Sequence, residues 1–341
     1  MRPAAGNLPG GPAAGLPGWC APIERFERRR VLAGFVLSAA LVVSGGGCRG
    51  GQLVKLGDVS PPPYHFGTPD LVTELASTGH TDNPTLTADL LEIFFTTDRM
   101  SISEDVWFAT RTNASLPFGA PAPVVAVNTT FFETSSAISG DGLTLWFGSD
   151  RAGGVGEVDV WVSTRPSRAG AWSTPLNVVA LNSAVDDIPR PPGQHGLVMP
   201  LASRRNAQGI YQTYLAARSA PGAPFGAPTV ISELAFSDRS TVDGCLTDDG
   251  LTLFFSSTPA TPAVAGTDGA AAVDASAPTG DLYVAWRRSV DEPFSVTQPL
   301  GDLNTPADER DPWLSPDGKL LFFTSDRGGV LSIYVATVDL R

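Results

Sequence analysis

The chain has 341 residues and a formal net charge of -12, with 17% charged residues. A nucleic-acid-binding protein needs clustered lysine and arginine, so this balance argues against a nucleic-acid partner. Three cysteines, Cys20, Cys48 and Cys245, do not make the even set that a disulfide framework requires, and stability is expected to come from packing within one domain.

Residues 1–47 are predicted to be a signal peptide. Three arginines, Arg28 to Arg30, precede an apolar stretch from Val31 to Val43. That stretch is shorter than the roughly 20 residues with which a helix crosses a bilayer. Small residues then lead to Cys48, an arrangement that resembles a bacterial lipoprotein signal, although Gly45 stands where such signals usually have leucine. Lipidation of Cys48 is therefore predicted. Plain secretion and a twin-arginine export signal remain as alternatives.

Residues 48–63 are predicted to form a linker. This segment is polar and ends in Pro61-Pro62-Pro63, and consecutive prolines favour an extended, semi-rigid spacer. The folded domain is predicted to span residues 64–341.

One phrase recurs five times within that domain. It consists of a turn of the Asp-Gly type, an alternating apolar strand and, in most copies, an end that resembles Ser-Asp-Arg. Asp-Gly favours a hairpin turn, and the alternation places every second side chain on one face of a strand. The five copies run over residues 87–99, 139–151, 193–205, 247–257 and 315–327.

A third strand with an aromatic residue and a fourth strand after a Phe-Gly-Ala-Pro phrase complete each unit. Four strands per unit, repeated every 52 to 54 residues where nothing is inserted, predict an all-β, five-bladed β-propeller with four-stranded antiparallel blades. The last unit ends after its third strand. Because Phe66–Ala76 matches Phe225–Ala235 closely, this N-terminal segment is predicted to supply the missing strand beside 333–336 and close the ring.

Two units are irregular. The third has His195-Gly196 in place of Asp-Gly, after a proline-rich approach at 189–193, so a distorted first turn is expected. The fourth carries an insertion at 259–280, rich in alanine, proline, glycine, threonine and aspartate, which is predicted to be a mobile loop.

The run from Leu314 to Gly329, with Ile-Tyr-Val-Ala at 333–336, resembles the repeat of TolB-type propellers, which are WD-like units in bacterial envelope proteins. The resemblance covers about Phe66 to Arg341. It implies the propeller fold and is compatible with a binding module, and no peptidase domain of the kind found beside some of these repeats is predicted here.

The first strand of each unit is expected to line the central channel, where its polar side chains are the candidates for contact with a ligand. Converging carboxylates suit a cation or a sugar, and they equally suit turn capping beside Pro84, Pro189 and Pro312. The candidate binding residues at the channel mouth are Asn83, Glu133, Asp187, Asp243, Glu309, Arg310 and Asp311. Recurrent Asp-Arg pairs at a strand end are expected to be structural, each arginine meeting a carboxylate that opens a third strand, as at Asp105, Asp159 and Asp281.

The sequence favours a binding protein over an enzyme. Only three histidines are present, none in the setting of a nucleophilic triad, and clustered zinc ligands are absent from the sequence, so no cofactor, metal or catalytic residue is predicted. The predicted function is a monomeric, exported, lipid-anchored module of the cell envelope that binds an envelope protein or glycan and contacts the membrane only through its N-terminal lipid. The alternative is a five-bladed glycoside hydrolase acting on polysaccharide through paired carboxylates.

Overall fold

The structure, a computed structural model, describes residues 64–100, 103–259 and 279–340. The predicted signal peptide, Cys48, the linker and most of the predicted insertion lie outside these residues. Within them, no helix is long and apolar enough to cross a membrane. The described chain forms five antiparallel sheets, which are the blades of a five-bladed β-propeller, as the repeat predicted.

Two short strands, β1 (Tyr64–Phe66) and β2 (Asp70–Leu71), come first in the chain. Blade 1 contains β3 (Thr81–Leu86), β4 (Glu92–Thr97), β5 (Asp105–Thr110) and β6 (Ala122–Pro123). Blade 2 contains β7 (Glu133–Ile138), β8 (Thr144–Ser149), β9 (Asp159–Thr164) and β10 (Leu176–Asn177). Blade 3 contains β11 (Asp187–Pro189), β12 (Val198–Ser203), β13 (Gln212–Ala217) and β14 (Thr229–Val230).

A short 3₁₀ helix, Ser232–Leu234, leads from blade 3 to blade 4. Blade 4 contains β15 (Arg239–Leu246), β16 (Thr252–Pro259), β17 (Asp281–Trp286) and β18 (Val296–Pro299). Blade 5 contains β19 (Glu309–Leu314), β20 (Leu320–Ser325) and β21 (Ser332–Leu340), to which the two N-terminal strands are added.

The N-terminal strand closes the ring. Asp70 and Leu71 of β2 pair with Val335 and Tyr334 of β21, the place that a fourth strand takes in the other blades. The amide of Val72 continues this pairing by donating to the carbonyl of Ile333 at 2.9 Å. In addition, β1 pairs with the end of β21 over residues 338–340, a contact that the repeat did not predict. Closure covers the edges that an open array of sheets would leave unpaired.

The blades are held together by apolar side chains from their alternating strands. Phe94 and Val106 of blade 1, for example, share a buried cluster with Leu145 and Phe147 of blade 2. Each such side chain stabilises the fold by about 1.5–3 kcal/mol when fully buried. Because no blade covers its own face, the stability of one blade depends on its neighbours.

The first strands stand beside one another around the ring, and four of them are interrupted by a β-bulge. The interruption coincides with a non-glycine residue in the left-handed region in each case, at φ 54° for Asn83, 50° for Ser135, 60° for Asp243 and 57° for Asp311. A bulge redirects a side chain within a strand. Blade 3 has no such bulge, and its first strand β11 has only three residues.

Candidate functional site

Polar side chains fill the channel where the first strands begin. We call this group the channel plug. All of its members are at most 8% exposed, and they come from all five blades. The channel plug consists of Asp82, Asn83, Ser135, Arg190, Asp243 and Asp311.

Asn83 is the centre of the channel plug. Its side-chain amide donates to Asp82 at 3.0 Å, and its Oδ1 accepts hydrogen bonds from Ser135 at 3.1 Å and from Nη1 of Arg190 at 3.0 Å. Its backbone amide donates to Oδ2 of Asp311 at 3.2 Å. The side chain of Asn83 therefore joins blades 1, 2 and 3, and its backbone amide adds blade 5 at the bulge.

The channel plug contains three carboxyl groups, those of Asp82, Asp243 and Asp311, but only one arginine, Arg190. Burial, together with the charge of Asp311, raises the pKa of Asp243 to about 7, while Arg190 acts in the opposite direction. Burial likewise raises the pKa of Asp82, and Arg310 opposes this effect. Glu104, beside the channel plug, also has a raised pKa, caused by burial first and by the charge of Asp82 second.

Two arginines stand among these carboxyls without closing ideal ion pairs. Nη2 of Arg310 lies 3.6 Å from Asp82, and its Nε lies 3.7 Å from Asp308. Nη1 of Arg190 lies 3.6 Å from Oδ1 of Asp311. The remaining Nε and Nη2 of Arg190 have no hydrogen-bond partner among the described residues, and this side chain is 1% exposed.

The predicted site residues thus fall into two groups. The structure brings Asn83, Asp243 and Asp311 together in the channel plug and places Arg310 at its outer edge. Three further predicted residues, Glu133, Asp187 and Glu309, are completely buried at the start of their strands and engaged by arginines.

These three carboxylates form a repeated blade corner. Glu309 accepts hydrogen bonds from Thr305, from Ser325 at 2.8 Å and from Nη2 of Arg327 at 3.1 Å. Nη2 of Arg327 also donates to the carbonyl of Leu303 at 2.7 Å. Arg151 with Glu133, and Arg205 with Asp187, repeat the arrangement.

The expectation that these arginines meet a carboxylate at the start of a third strand is wrong for this corner. In each corner the arginine bonds the first-strand carboxylate of its own blade, because the same Nη2 group also reaches a backbone carbonyl that precedes this strand. Asp159, one of the expected partners, accepts hydrogen bonds from the backbone amides of Val155 and Gly156 instead.

No group of acidic, histidine or cysteine side chains in the described part of the chain is arranged to hold a metal ion. The guanidinium of Arg190 lies inside the channel plug, where its Nη1 is 3.0 Å from Oδ1 of Asn83 and 3.6 Å from Oδ1 of Asp311.

A large cavity lies at the opposite end of the channel, where the first strands end and turn into the second strands. We call it the basin, and its volume is about 1170 Å³. Its walls include Trp146, Phe225, Leu246 and Trp313, and its rim carries charged side chains such as Arg218.

Sequence reasoning missed Arg190, Glu104 and Arg218. Arg190 lies inside the proline-rich segment at 189–193 that leads to the first turn of the third unit, and this departure from the repeat is the signal by which sequence reasoning could have found it. Glu104 precedes a third strand outside the repeated phrase. Arg218 follows β13 at a position where blades 1, 2 and 4 also have arginine. The residue type therefore gave no signal, and only the contacts of Arg218 differ from those of its equivalents.

Comparison of the sequence with protein-family models and with curated proteins gives no match. Among solved structures, TolB from Acinetobacter baumannii is similar, with a TM-score of 0.45, 13% identity and coverage of 78% of this chain and 56% of that protein. A putative TolB from Agrobacterium tumefaciens has a TM-score of 0.45 and 12% identity, over 75% of this chain and 76% of that one. A thermostable family-43 glycoside hydrolase has a TM-score of 0.46 and 9% identity, over 78% of this chain and 90% of that one. At these values no function follows from the resemblance.

Proposed function

We propose that this protein is a non-catalytic binding module of the bacterial cell envelope, exported and anchored by a lipid on Cys48. The observation that carries the proposal is the state of the first-strand carboxylates. Glu133, Asp187 and Glu309 are fully buried in arginine pairs, and Asp243 and Asp311 belong to the closed channel plug. A hydrolase needs an acid and a second carboxylate on either side of an open substrate position.

The binding surface of the proposal is the mouth of the channel, on the side of the channel plug. The side chain of Arg310 is 35% exposed above the channel plug. Glu157, in the loop before β9, forms a salt bridge with Arg204, in the loop after β12. Loops carried by a rigid ring are the usual binding positions of such folds. An envelope protein or glycan is the proposed partner of a monomeric ring.

A photo-crosslinking experiment in the producing cell tests this surface. A photoreactive amino acid replaces Glu157, whose side chain is 60% exposed on the mouth side, or Lys319, 77% exposed beside the turn that joins β19 and β20 at the opposite side. We expect a discrete crosslinked product from the mouth position, whether or not Lys319, which lies beside the basin, also gives one. Crosslinking from Lys319 alone, or from neither position, contradicts the proposal.

A Cys48→Ser variant tests the anchor. The wild-type protein is expected in the membrane fraction and the variant in the soluble fraction. Equal membrane retention of both proteins rules out anchoring through Cys48.

One observation favours the second candidate function, a glycoside hydrolase. Asp243, with a pKa of about 7, lies close enough to the carboxyl group of Asp311 to be affected by its charge, and two neighbouring carboxyl groups are what such enzymes use. Arabinan and xylan incubated with wild type, Asp243→Asn and Glu309→Gln distinguish the two. Release of reducing sugar by wild type and its loss in Asp243→Asn supports the hydrolase. The binding module predicts no release from any of the three proteins.

A further inference from the structure

The blade that departs most from the internal repeat, blade 3, forms a large part of the basin together with blade 2. Blade 3 supplies Pro191 to Gly193, His195, Gly196, Arg218 and the segment Pro221 to Phe225 to its lining. Its first strand is the one that lacks a bulge, and its first turn lacks Asp-Gly. In a protein made of repeated units, departures from the local pattern concentrate where a function requires them.

The turn at this position has unusual backbone geometry. Gln194 and His195 have φ angles of 51° and 55°, and Gly196 follows at 83°. Two successive non-glycine residues in the left-handed region cost about 1–3 kcal/mol each, and such outliers cluster at ligand-binding and active sites. The side chain of His195 is 83% exposed at the rim of the basin.

Arg218 differs from its equivalents in the other blades. In blades 1 to 4 an arginine follows the third strand, and its Nε donates a hydrogen bond to a carbonyl of the first turn. These arginines are Arg111, Arg165, Arg218 and Arg287. In Arg111, Arg165 and Arg287 an Nη group also donates to a second acceptor in the loop after the third strand. Among the described residues, the Nη groups of Arg218 have no such acceptor, and they lie at the basin.

The guanidinium of Arg218 is held in place from behind. Its centre lies 4.5 Å from the ring of Phe225 and 5.6 Å from the ring of Trp146, and its Nε bonds the carbonyl of Gly196 at 2.7 Å. These contacts fix the plane of the guanidinium and leave the end with two Nη groups for another partner. No carboxylate of the described residues lies within 4.0 Å of it, in a chain of net charge -12.

We propose that the basin binds an organic carboxylate with an apolar or aromatic body, whose carboxylate is held by the two Nη groups of Arg218. A planar carboxylate matches the forked guanidinium in a bidentate contact. Pro191, Pro192 and Leu314, which are only partly buried in the lining of the basin, supply apolar surface for the body of the ligand. Four aspartates, Asp141, Asp248, Asp249 and Asp317, also line the basin and repel a singly charged carboxylate less than a multiply charged anion such as phosphate.

The proposal concerns the face of the ring opposite the channel mouth and does not depend on the proposed function of that mouth. The carboxylate has two possible sources, a small aromatic acid or the C-terminus of a polypeptide. A basin of about 1170 Å³ is slightly larger than the roughly 300–1,000 Å³ of ordinary small-molecule sites. Both sources share the same chemistry at Arg218, and the experiment separates them.

Isothermal titration calorimetry on the purified full-length protein tests the proposal. The probes are indole-3-propionate and its neutral amide, and a short peptide ending in tryptophan with a free or an amidated C-terminus. We expect binding of at least one carboxylate probe and at least tenfold weaker binding of its amide, the effect of about one lost charge-assisted hydrogen bond. Binding of only the small acid, or only the free peptide, identifies the source.

Two variants assign the contact. Arg218→Gln is expected to weaken carboxylate binding by about tenfold or more, whereas Arg111→Gln, the matched position outside the basin, leaves it within about twofold. Arg218→Lys keeps the charge but loses the fork and is expected to fall between them, which protects the test if the glutamine variant does not fold. Failure of all carboxylate probes to bind overturns the proposal, as does equal binding of acid and amide, or equal losses in the Arg218 and Arg111 variants.

Discussion

The repeated blade corner makes a quantitative prediction for Arg327→Ala. This change leaves the carboxylate of Glu309, which is completely buried, without its cation. Removing one partner of a buried ion pair costs about 3–5 kcal/mol, because the remaining charge is uncompensated. The arginine also loses its contacts over Phe323 and Tyr334 and its hydrogen bond to the carbonyl of Leu303.

Blade 1 offers the matched control. Arg99 bonds the carbonyl of Leu75 and stacks on Phe95 and Trp107 in the same way, but it faces the hydroxyl of Thr81 at 3.4 Å and no carboxylate. Its replacement by alanine is therefore expected to cost only about 1–2 kcal/mol, because the hydrogen bonds and ring contacts that it loses leave no uncompensated charge behind.

Urea unfolding followed by tryptophan fluorescence measures both variants against wild type. We expect Arg327→Ala to lose at least about 1 kcal/mol more than Arg99→Ala, the smallest difference between the two costs above. Adding Glu309→Gln to Arg327→Ala should recover part of the loss, since the uncompensated charge is removed. Equal losses in the two single variants, or a further loss in the double variant, would refute the assignment of the carboxylate as the source of the cost.

Two further predictions concern the channel plug and the packing of adjacent loops. Because the pKa of Asp243 is raised to about 7 in the folded state, its contribution to stability is complete below about pH 4 and is lost as the pH rises to about 7. Asp243→Asn should flatten the decline of unfolding free energy over that interval, and an unchanged slope contradicts it. Gly156→Ala should destabilise by about 1–3 kcal/mol, since its Cβ would lie 2.3 Å from the carbonyl of Ser183, whereas Gly301→Ala meets nothing within 4 Å. Equal thermal unfolding of these two glycine variants would disprove the close approach.

The fold was predictable because the information is repeated. Each copy of the phrase specifies a turn and an alternating strand, and the likeness of the segment after Phe66 to that after Phe225 was enough to place β2 beside β21. The pairing of β1 with residues 338–340 was not predictable in this way, because no other blade has an equivalent strand.

The site was only partly predictable. Sequence spacing placed Asp243 and Asp311 on first strands, but it did not show that bulges turn them into a buried cluster around Asn83. It also did not show that Glu309, two residues before Asp311, pairs with Arg327 of its own blade and does not join that cluster. Residues adjacent in sequence on a strand point to opposite faces, so a bulge changes which of them reach the channel.

The contacts of Arg190 and Arg218 also could not be predicted from the sequence pattern. Both lie in blade 3, where the repeat is degraded, and each contacts a residue far away in the chain, which for Arg218 is the ring of Trp146 in blade 2. Arg190 meets Asn83, 107 residues away. Such contacts depend on ring closure, which a local pattern does not describe.

The closed ring is the claim on which every site in this account depends, because it brings blades 1 and 5 together at the channel. A pair of cysteines at Asp70 and Val335, directly opposite in the β2 and β21 pairing, tests it most directly. The account predicts that Asp70→Cys with Val335→Cys oxidises to a disulfide within one chain, seen as a mobility shift on a non-reducing gel. A pair displaced by two residues, Asp70→Cys with Thr337→Cys, should stay reduced. Equal oxidation of both pairs, or of neither, would contradict the closed ring.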